Sequence, residues 1–238
     1  MMSQSRERFS RYHEHFKSVR GQMILPPHVS EAILGVVRGR VLDIGTADGY
    51  KLHWILEKSE GKVSNVVALE PSPRLFKQAE KEFLMFPNSE VVHCSFEEFE
   101  PNEVFDTVFL FEVIEHIPKC LHHQAMVKCV SLLAQGGTLV ISTPNRPVYR
   151  FKCWLSGEKA DPTHVSEFDL HELRAFLSGY FRQIHYYGSL PWMRLLRRFP
   201  ILTQVNAVFN PLRISHVFYA LLSEPHEEIR CENPPSHL

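Results

Sequence analysis

VLDIGTADG, residues 41–49, is an apolar run that breaks into two glycines four positions apart, and its reading decides the fold. The strand ends at Ile44 and passes directly into Gly45, Thr46, Ala47, Asp48 and Gly49. The stretch that follows carries Leu52, Ile55 and Leu56 on one helical face. Glycine at 45 allows a tight turn with no Cβ to clash, and the N-terminus of the next helix offers N–H donors suited to a carboxylate or phosphate. Asp43, just before the turn, can accept from an ammonium or orient loop amides. The stretch lacks the Lys-Ser/Thr pair of a P-loop.

Outward from this turn, short β-branched runs alternate with amphipathic stretches, the pattern of a doubly wound parallel sheet. Strands are predicted at Val41–Ile44, Val63–Leu69, Glu90–Cys94, Phe105–Phe111, Thr138–Ser142 and Phe181–Tyr187, with SHVFYALLS, residues 215–223, as the last. Helices are predicted at His28–Val37, from Gly49, after Pro73, through Ala125–Leu133 and at Asp169–Leu177, where Asp169 is the N-cap. AQGG, residues 134–137, reads as the turn between the fourth helix and its strand. After Asn145 the chain reads as a polar segment. The predicted organisation is one domain over 1–223, with a lid segment at 1–27, substrate-side insertions at 146–168 and 188–214, and a disordered tail at 224–238.

The 238 residues are 44% hydrophobic with a net charge of −1, which is ordinary globular composition. No run is long and apolar enough to span a bilayer and the polar start lacks a signal-peptide core, so a cytoplasmic protein is expected. Five scattered cysteines without a CxxC pair read as reduced, with no zinc site. Charge is uneven. Residues 1–115 hold 13 Lys+Arg against 18 Asp+Glu, and residues 116–238 hold 13 against 9. Between 173 and 223 there is no acid, only arginines, which fits an anionic partner or a solvated rim.

The second predicted strand ends in VVALEPS, leaving Glu70 at its carboxyl edge, 21 residues after Gly49. An acid there accepts from the ribose hydroxyls of an adenosine cofactor. The two features together narrow the ligand to a dinucleotide or S-adenosylmethionine. Over residues 25–187 the chain resembles class I S-adenosylmethionine-dependent methyltransferases of the type-11/type-12 methyltransferase-domain group. The matching pieces are VLDIGTADG, VVALEPS, CSFEEF (94–99), FDTVFLFEVIEHI (105–117) and LLAQGGTLVISTPN (132–145). The resemblance implies a Rossmann-like seven-stranded sheet whose last strand, SHVFYALLS, is antiparallel. It also implies a cofactor site of Asp43, Gly45, Thr46, Ala47, Gly49, Glu70, Pro71, Ser95, Phe96 and Phe111. Ala47 stands where the group usually has glycine, and Ser95 where an Asp is common. Ser95 can still accept from the adenine amine, and Phe96 can cover the ring.

Methyl transfer from a sulfonium needs in-line positioning and, for a hydroxyl acceptor, a base. FEVIEH puts Glu112, Glu115 and His116 within one helical turn, with Glu112 and His116 the catalytic candidates and His116 the base. The plainer reading is that Glu115 and His116 cap or line the helix starting there. With His164 from DPTHVSEF, the set Glu112, Glu115, His116 and His164 offers two oxygens and two nitrogens to Mg or Mn. It resembles the set of small-RNA 3′-end 2′-O-methyltransferases and, in part, that of ubiquinone-pathway O-methyltransferases. His122 and His123 are expected to face solvent.

Residues 146–155 interleave Arg146, Arg150 and Lys152 with Tyr149, Phe151, Trp154 and Leu155. Such a lid can lie on an anionic membrane, clamp RNA phosphates or pack its aromatics inward. The expected activity is O-methylation of a small-molecule, glycan or lipid-linked acceptor, with peripheral membrane contact as an option and no obligate protein partner evident. Two alternatives stand beside it. RNA as acceptor is disfavoured by the few basic residues and the lack of an RNA-binding module. A catalytically idle binding module is favoured only by Ala47 and Ser95.

Overall fold

Along β4 (Phe105–Phe111) Val108 and Leu110 enter one core while Phe109 and Phe111 enter another. A strand apolar on both faces must lie between two helical layers. The same split recurs across the sheet. β1 (Gly39–Ile44) sends Leu42 and Ile44 one way and Val41 the other, and β2 (Val63–Leu69) sends Val67 and Leu69 against Val66 and Ala68. A one-residue slip would exchange the two sets, so burial fixes the register.

The structure, a computed structural model, describes residues 25–189, 212 and 215–232. Among the described residues the sheet has seven strands in the order β3-β2-β1-β4-β5-β7-β6. Here β3 is Ser89–Val92, β5 Leu133–Pro144, β6 Phe181–Ser189 and β7 Val217–Pro225. Strands β1 to β5 pair in parallel, and β7 runs antiparallel to both β5 and β6. The strand read from SHVFYALLS is therefore the antiparallel one. Helices α1 (Pro27–Val36), α2 (Tyr50–Lys58) and α3 (Pro73–Phe83) cover one face through Val29, Ile33, Leu52, Ile55, Ala79 and Phe83. Helices α4 (His122–Ser131) and α6 (Leu170–Ser178) cover the other through Met126, Val130, Leu173 and Leu177.

Several expectations need correction. Residues 146–156 form helix α5 (Arg146–Ser156), with Cys153 buried and Phe151, Trp154 and Leu155 exposed, rather than a polar segment. AQGG lies inside β5 as a bulge: Phe105 pairs with Leu133 and Thr107 with Thr138. Nor does the domain end at 223. β7 continues to Pro225, and Glu227–Glu232 form helix α7, so 224–232 are not a disordered tail. The Arg230 guanidinium donates to the carbonyls of Leu133 and Ala134, and Ile229 packs against the core. His122 is buried, bonded through Nε2 to the Ile117 carbonyl and stacked on Phe168 at 5.2 Å. The 188–214 insertion begins later than expected, since β6 reaches Ser189, and its remainder apart from Leu212 lies outside the described residues, as do 1–24. No described helix is long and apolar enough to cross a membrane.

The excursion 146–168 is stapled at its base. The Arg146 amide donates to the Phe168 carbonyl (2.8 Å), and its guanidinium pairs with Asp169 (2.9 Å) and Glu172 (2.8 Å). Asp169 is the N-cap of α6 in a reciprocal capping box: its side chain accepts from the Glu172 amide (2.9 Å), and Glu172 accepts from the Asp169 amide (3.1 Å). The ion pairs are about a third exposed and add little. Asp169→Ala should therefore cost about 1 kcal/mol, mostly the lost cap, and lower the thermal midpoint by about 2–4 °C in calorimetry. An unchanged midpoint would show that the cap contributes nothing.

Candidate active site

The chain leaves β1 through three left-handed residues: Gly45 (φ 77°), Ala47 (φ 56°) and Gly49 (φ 78°). A Cβ on Gly45 would come within 2.7 Å of Val113 Cγ2, and one on Gly49 within 3.2 Å of Ala79 Cα. Gly45 and Thr46 both donate to the Leu69 carbonyl at 2.9 Å, tying the turn to the end of β2. Ala47 takes a conformation that disfavours a side chain by roughly 1–2 kcal/mol. Strain of this kind concentrates at functional sites.

Glu70 is buried just beyond β2. Its Oε2 accepts from the Ala47 amide (2.8 Å) and its Oε1 from the Ser72 amide (2.7 Å). Burial pushes its carboxyl up to about 7 against the pull of those two amides, with the charge of Asp43 adding to the rise. Burial likewise pushes Asp43 up to about 6, opposed by the Thr46 hydroxyl and the charge of Lys51. The Lys51 ammonium lies 4.7 Å from the centre of the Phe111 ring.

Gly45, Glu70, Pro71, Phe96, Glu112 and His116 line one cleft at the carboxyl edge of the sheet. Thr46, Ala47 and Gly49 form the turn above it, Ser95 precedes Phe96, and the Phe111 ring is turned into a core. The buried Ser95 hydroxyl donates to Glu98 (3.2 Å), which leaves its lone pairs as acceptors. A larger cavity, about 1090 Å³, lies at the opposite edge, lined by Arg40, Arg182 and Arg230 among others. Ligands of open α/β sheets bind beyond the carboxyl ends of the strands, at the point where strand order reverses. Here that is the β1/β4 boundary, which is where the smaller cleft lies.

After β4, Glu112 has a positive φ of 55° and is held twice by Ser142, whose hydroxyl donates to its Oε1 (2.7 Å) and whose carbonyl accepts from its amide (2.9 Å). Glu115 and His116 lie on a short 3₁₀ turn, both buried. The His116 Nδ1–H donates to the Thr163 carbonyl (3.1 Å), and the His164 Nδ1 bonds Glu167 (3.1 Å). The two imidazoles meet edge to face at 4.9 Å. Ligand atoms of Glu115, His116 and His164 all lie within 4.8 Å of one another. Glu112 is not part of that group. One Glu115 oxygen accepts from Thr143 (3.1 Å), while the other, Oε1, is buried with no hydrogen-bond partner. Burial, and then the charge of Glu112, push the Glu115 carboxyl well above its ordinary range. The sequence reading missed Lys51, Thr143 and Glu167. Only Glu167, three residues after His164, left a spacing signal.

The raised Glu70 carboxyl makes a linkage prediction. The fold holds its proton where the unfolded chain has released it, so this stability is present below about pH 4.5 and lost as pH rises through about 7. Glu70→Gln has no such loss. In denaturant melts at pH 4.5 and 8, the variant should gain on the wild type by up to about 3 kcal/mol at the higher pH. A pH-independent difference would refute the shift.

The model of a family described as a methyltransferase domain matches residues 11–180. A tRNA U34 carboxymethyltransferase of Shewanella piezotolerans (strain WP3 / JCM 13877) is 32% identical over 122 residues, 50% of this chain and 34% of that protein. One from Glaesserella parasuis serovar 5 (strain SH0165) is 30% identical over 106 residues, 43% and 32% of the two chains. The chain thus spans about a third of the length of these curated relatives. Among solved structures, the N-methyltransferase NodS from Bradyrhizobium japonicum WM9, in complex with S-adenosyl-L-homocysteine, aligns with a TM-score of 0.62 at 16% identity, covering 94% of this chain and 98% of that one. The small RNA methyltransferase HEN1 aligns at 0.63 and 17% identity, covering 87% and 27%. At these identities the structural likeness speaks for the fold. The family match over most of the chain, on a sheet of this order, means that the protein belongs to the methyltransferase-domain family and has the fold of class I methyltransferases.

Proposed function

We propose that the chain transfers the methyl group of S-adenosylmethionine to an acceptor hydroxyl at the carboxyl edge of the sheet, beside a divalent-cation site of Glu115, His116 and His164. The observation that carries this reading is the convergence of those three side chains next to the cleft lined by Gly45 and Glu70.

The residues present fit the cofactor. Two Glu70 oxygens suit a ribose diol, Ser95 suits the adenine amine and Phe96 the ring face. Asp43 and the turn amides suit the amino-acid end, and Lys51, whose charge reaches both Asp43 and Glu115, suits its carboxylate. The bound cofactor supplies a methyl group on a good, neutral leaving group, so the protein's part is alignment and handling the acceptor proton.

The residues also fit a small, hard or borderline cation. Glu115, one of whose oxygens is buried without a hydrogen-bond partner, lies beside two imidazoles whose Nδ1 atoms are bonded to acceptor oxygens, which puts the lone pairs of the neutral rings on Nε2. A cation held there would acidify an acceptor hydroxyl. Without a cation, His116 Nε2 is the base. The acceptor class is a small, glycan or lipid-linked hydroxyl compound, and the exposed Phe151, Trp154 and Leu155 on α5 favour a lipid-linked one. An RNA acceptor is the second reading, favoured by the names of the curated relatives.

Two measurements test the proposal. Isothermal titration should detect S-adenosylmethionine binding to the wild type and none to Glu70→Ala; equal affinities would refute the ribose assignment. Transfer of radiolabelled methyl to total lipid, small-molecule and RNA fractions, with and without EDTA, should label a non-RNA fraction in an EDTA-sensitive way. Label confined to RNA would overturn the acceptor class, and EDTA-indifferent transfer would leave His116 as base without a cation.

A further inference from the structure

We infer that Glu167 is a positioning residue that sets the tautomer, orientation and donor strength of His164 as a cation ligand. The inference rests on the cation reading above. The Glu167 side chain is only 3% exposed, unusual for a glutamate in a loop. Its Oε1 lies 3.1 Å from His164 Nδ1 and its Oε2 3.0 Å from Arg150 Nε. A carboxylate can only accept, so the proton of a neutral His164 stays on Nδ1 and the lone pair on Nε2. Both partners offset the cost of burying the charge.

The surrounding segment is built to present this pair. Asp161 accepts from the Thr163 amide (2.8 Å) and hydroxyl (2.6 Å), closing a turn, and the Val165 and Ser166 amides donate to the Glu115 carbonyl (2.9 and 3.0 Å). Tyr149 flanks the His164 ring at 5.2 Å. His116 has its proton fixed by a neutral carbonyl from this same segment, whereas His164 has a carboxylate. Carboxylate partners raise imidazole basicity and orient the ring, and their loss costs roughly 10–100-fold in metal affinity. Arg150 is 66% exposed, and its pairing adds little beyond steadying Glu167.

The competing reading is that Glu167 only staples α5 to the loop through Arg150. The two part in Mn²⁺ binding to the full chain, followed by paramagnetic resonance of free Mn²⁺. The positioning role predicts a roughly 10–100-fold weaker Kd for Glu167→Ala, a smaller loss for the near-isosteric Glu167→Gln, which keeps one acceptor oxygen, and a change within about fivefold for Arg150→Ala. In the Co²⁺-loaded protein, two exchangeable imidazole N–H resonances should appear in the wild type and one should vanish in Glu167→Ala. A staple would make Arg150→Ala and Glu167→Ala alike, and equal Mn²⁺ affinity in wild type and both Glu167 variants would overturn the inference alone. Failure of the wild type to bind Mn²⁺ or Co²⁺ would overturn the cation reading and this inference with it.

Discussion

The chain can leave β1 only through a residue without a Cβ. Gly45 is left-handed, and a methyl group there would drive into Val113 at 2.7 Å. That one steric constraint presses the exits of three strands together, because Gly45 and Thr46 are hydrogen-bonded to the end of β2 while Val113 belongs to the segment leaving β4. Glu70, the turn amides and the Glu112–His116 segment meet at one sheet edge as a consequence. The reversal of strand order between β1 and β4 opens the crevice they share.

Electrostatically this edge is short of cations. Asp43, Glu70, Glu112 and Glu115 gather there, three of them buried, with Lys51 as the positive charge that reaches both Asp43 and Glu115. Burial raises the carboxyls of the three buried acids, so they hold their protons to higher pH, and a cationic ligand proposed to sit beside them must compete with those protons. A sulfonium with its ammonium, and a divalent ion at Glu115, are ligands of that kind.

How much of this was legible in the sequence follows from the range of the interactions. The alternating apolar runs, the turn at Gly45, Glu70 and the Asp169 cap are local signals, and each stands where the sequence put it. His122 could not be read, because its burial comes from stacking on Phe168, 46 positions away. Helix α7 was hidden by a polar composition, its anchor being Arg230 on carbonyls nearly a hundred residues earlier. Helix α5 carries its aromatics as a lid would, and the proline at 147, which favours a helix start, is the local signal for it. The grouping of side chains was partly legible: Glu115, His116 and His164 converge, whereas Glu112 is held by Ser142.

The central claim is that S-adenosylmethionine binds between the turn at Gly45 and the end of β2. Hydrogen exchange by mass spectrometry, with and without the cofactor, tests it most directly. Protection should rise in peptides spanning 45–49, 70–72 and 95–96, with α6 and β6 unchanged. Protection confined to the opposite sheet edge, around Arg40, Leu133 and Arg230, or none at all, would contradict the account.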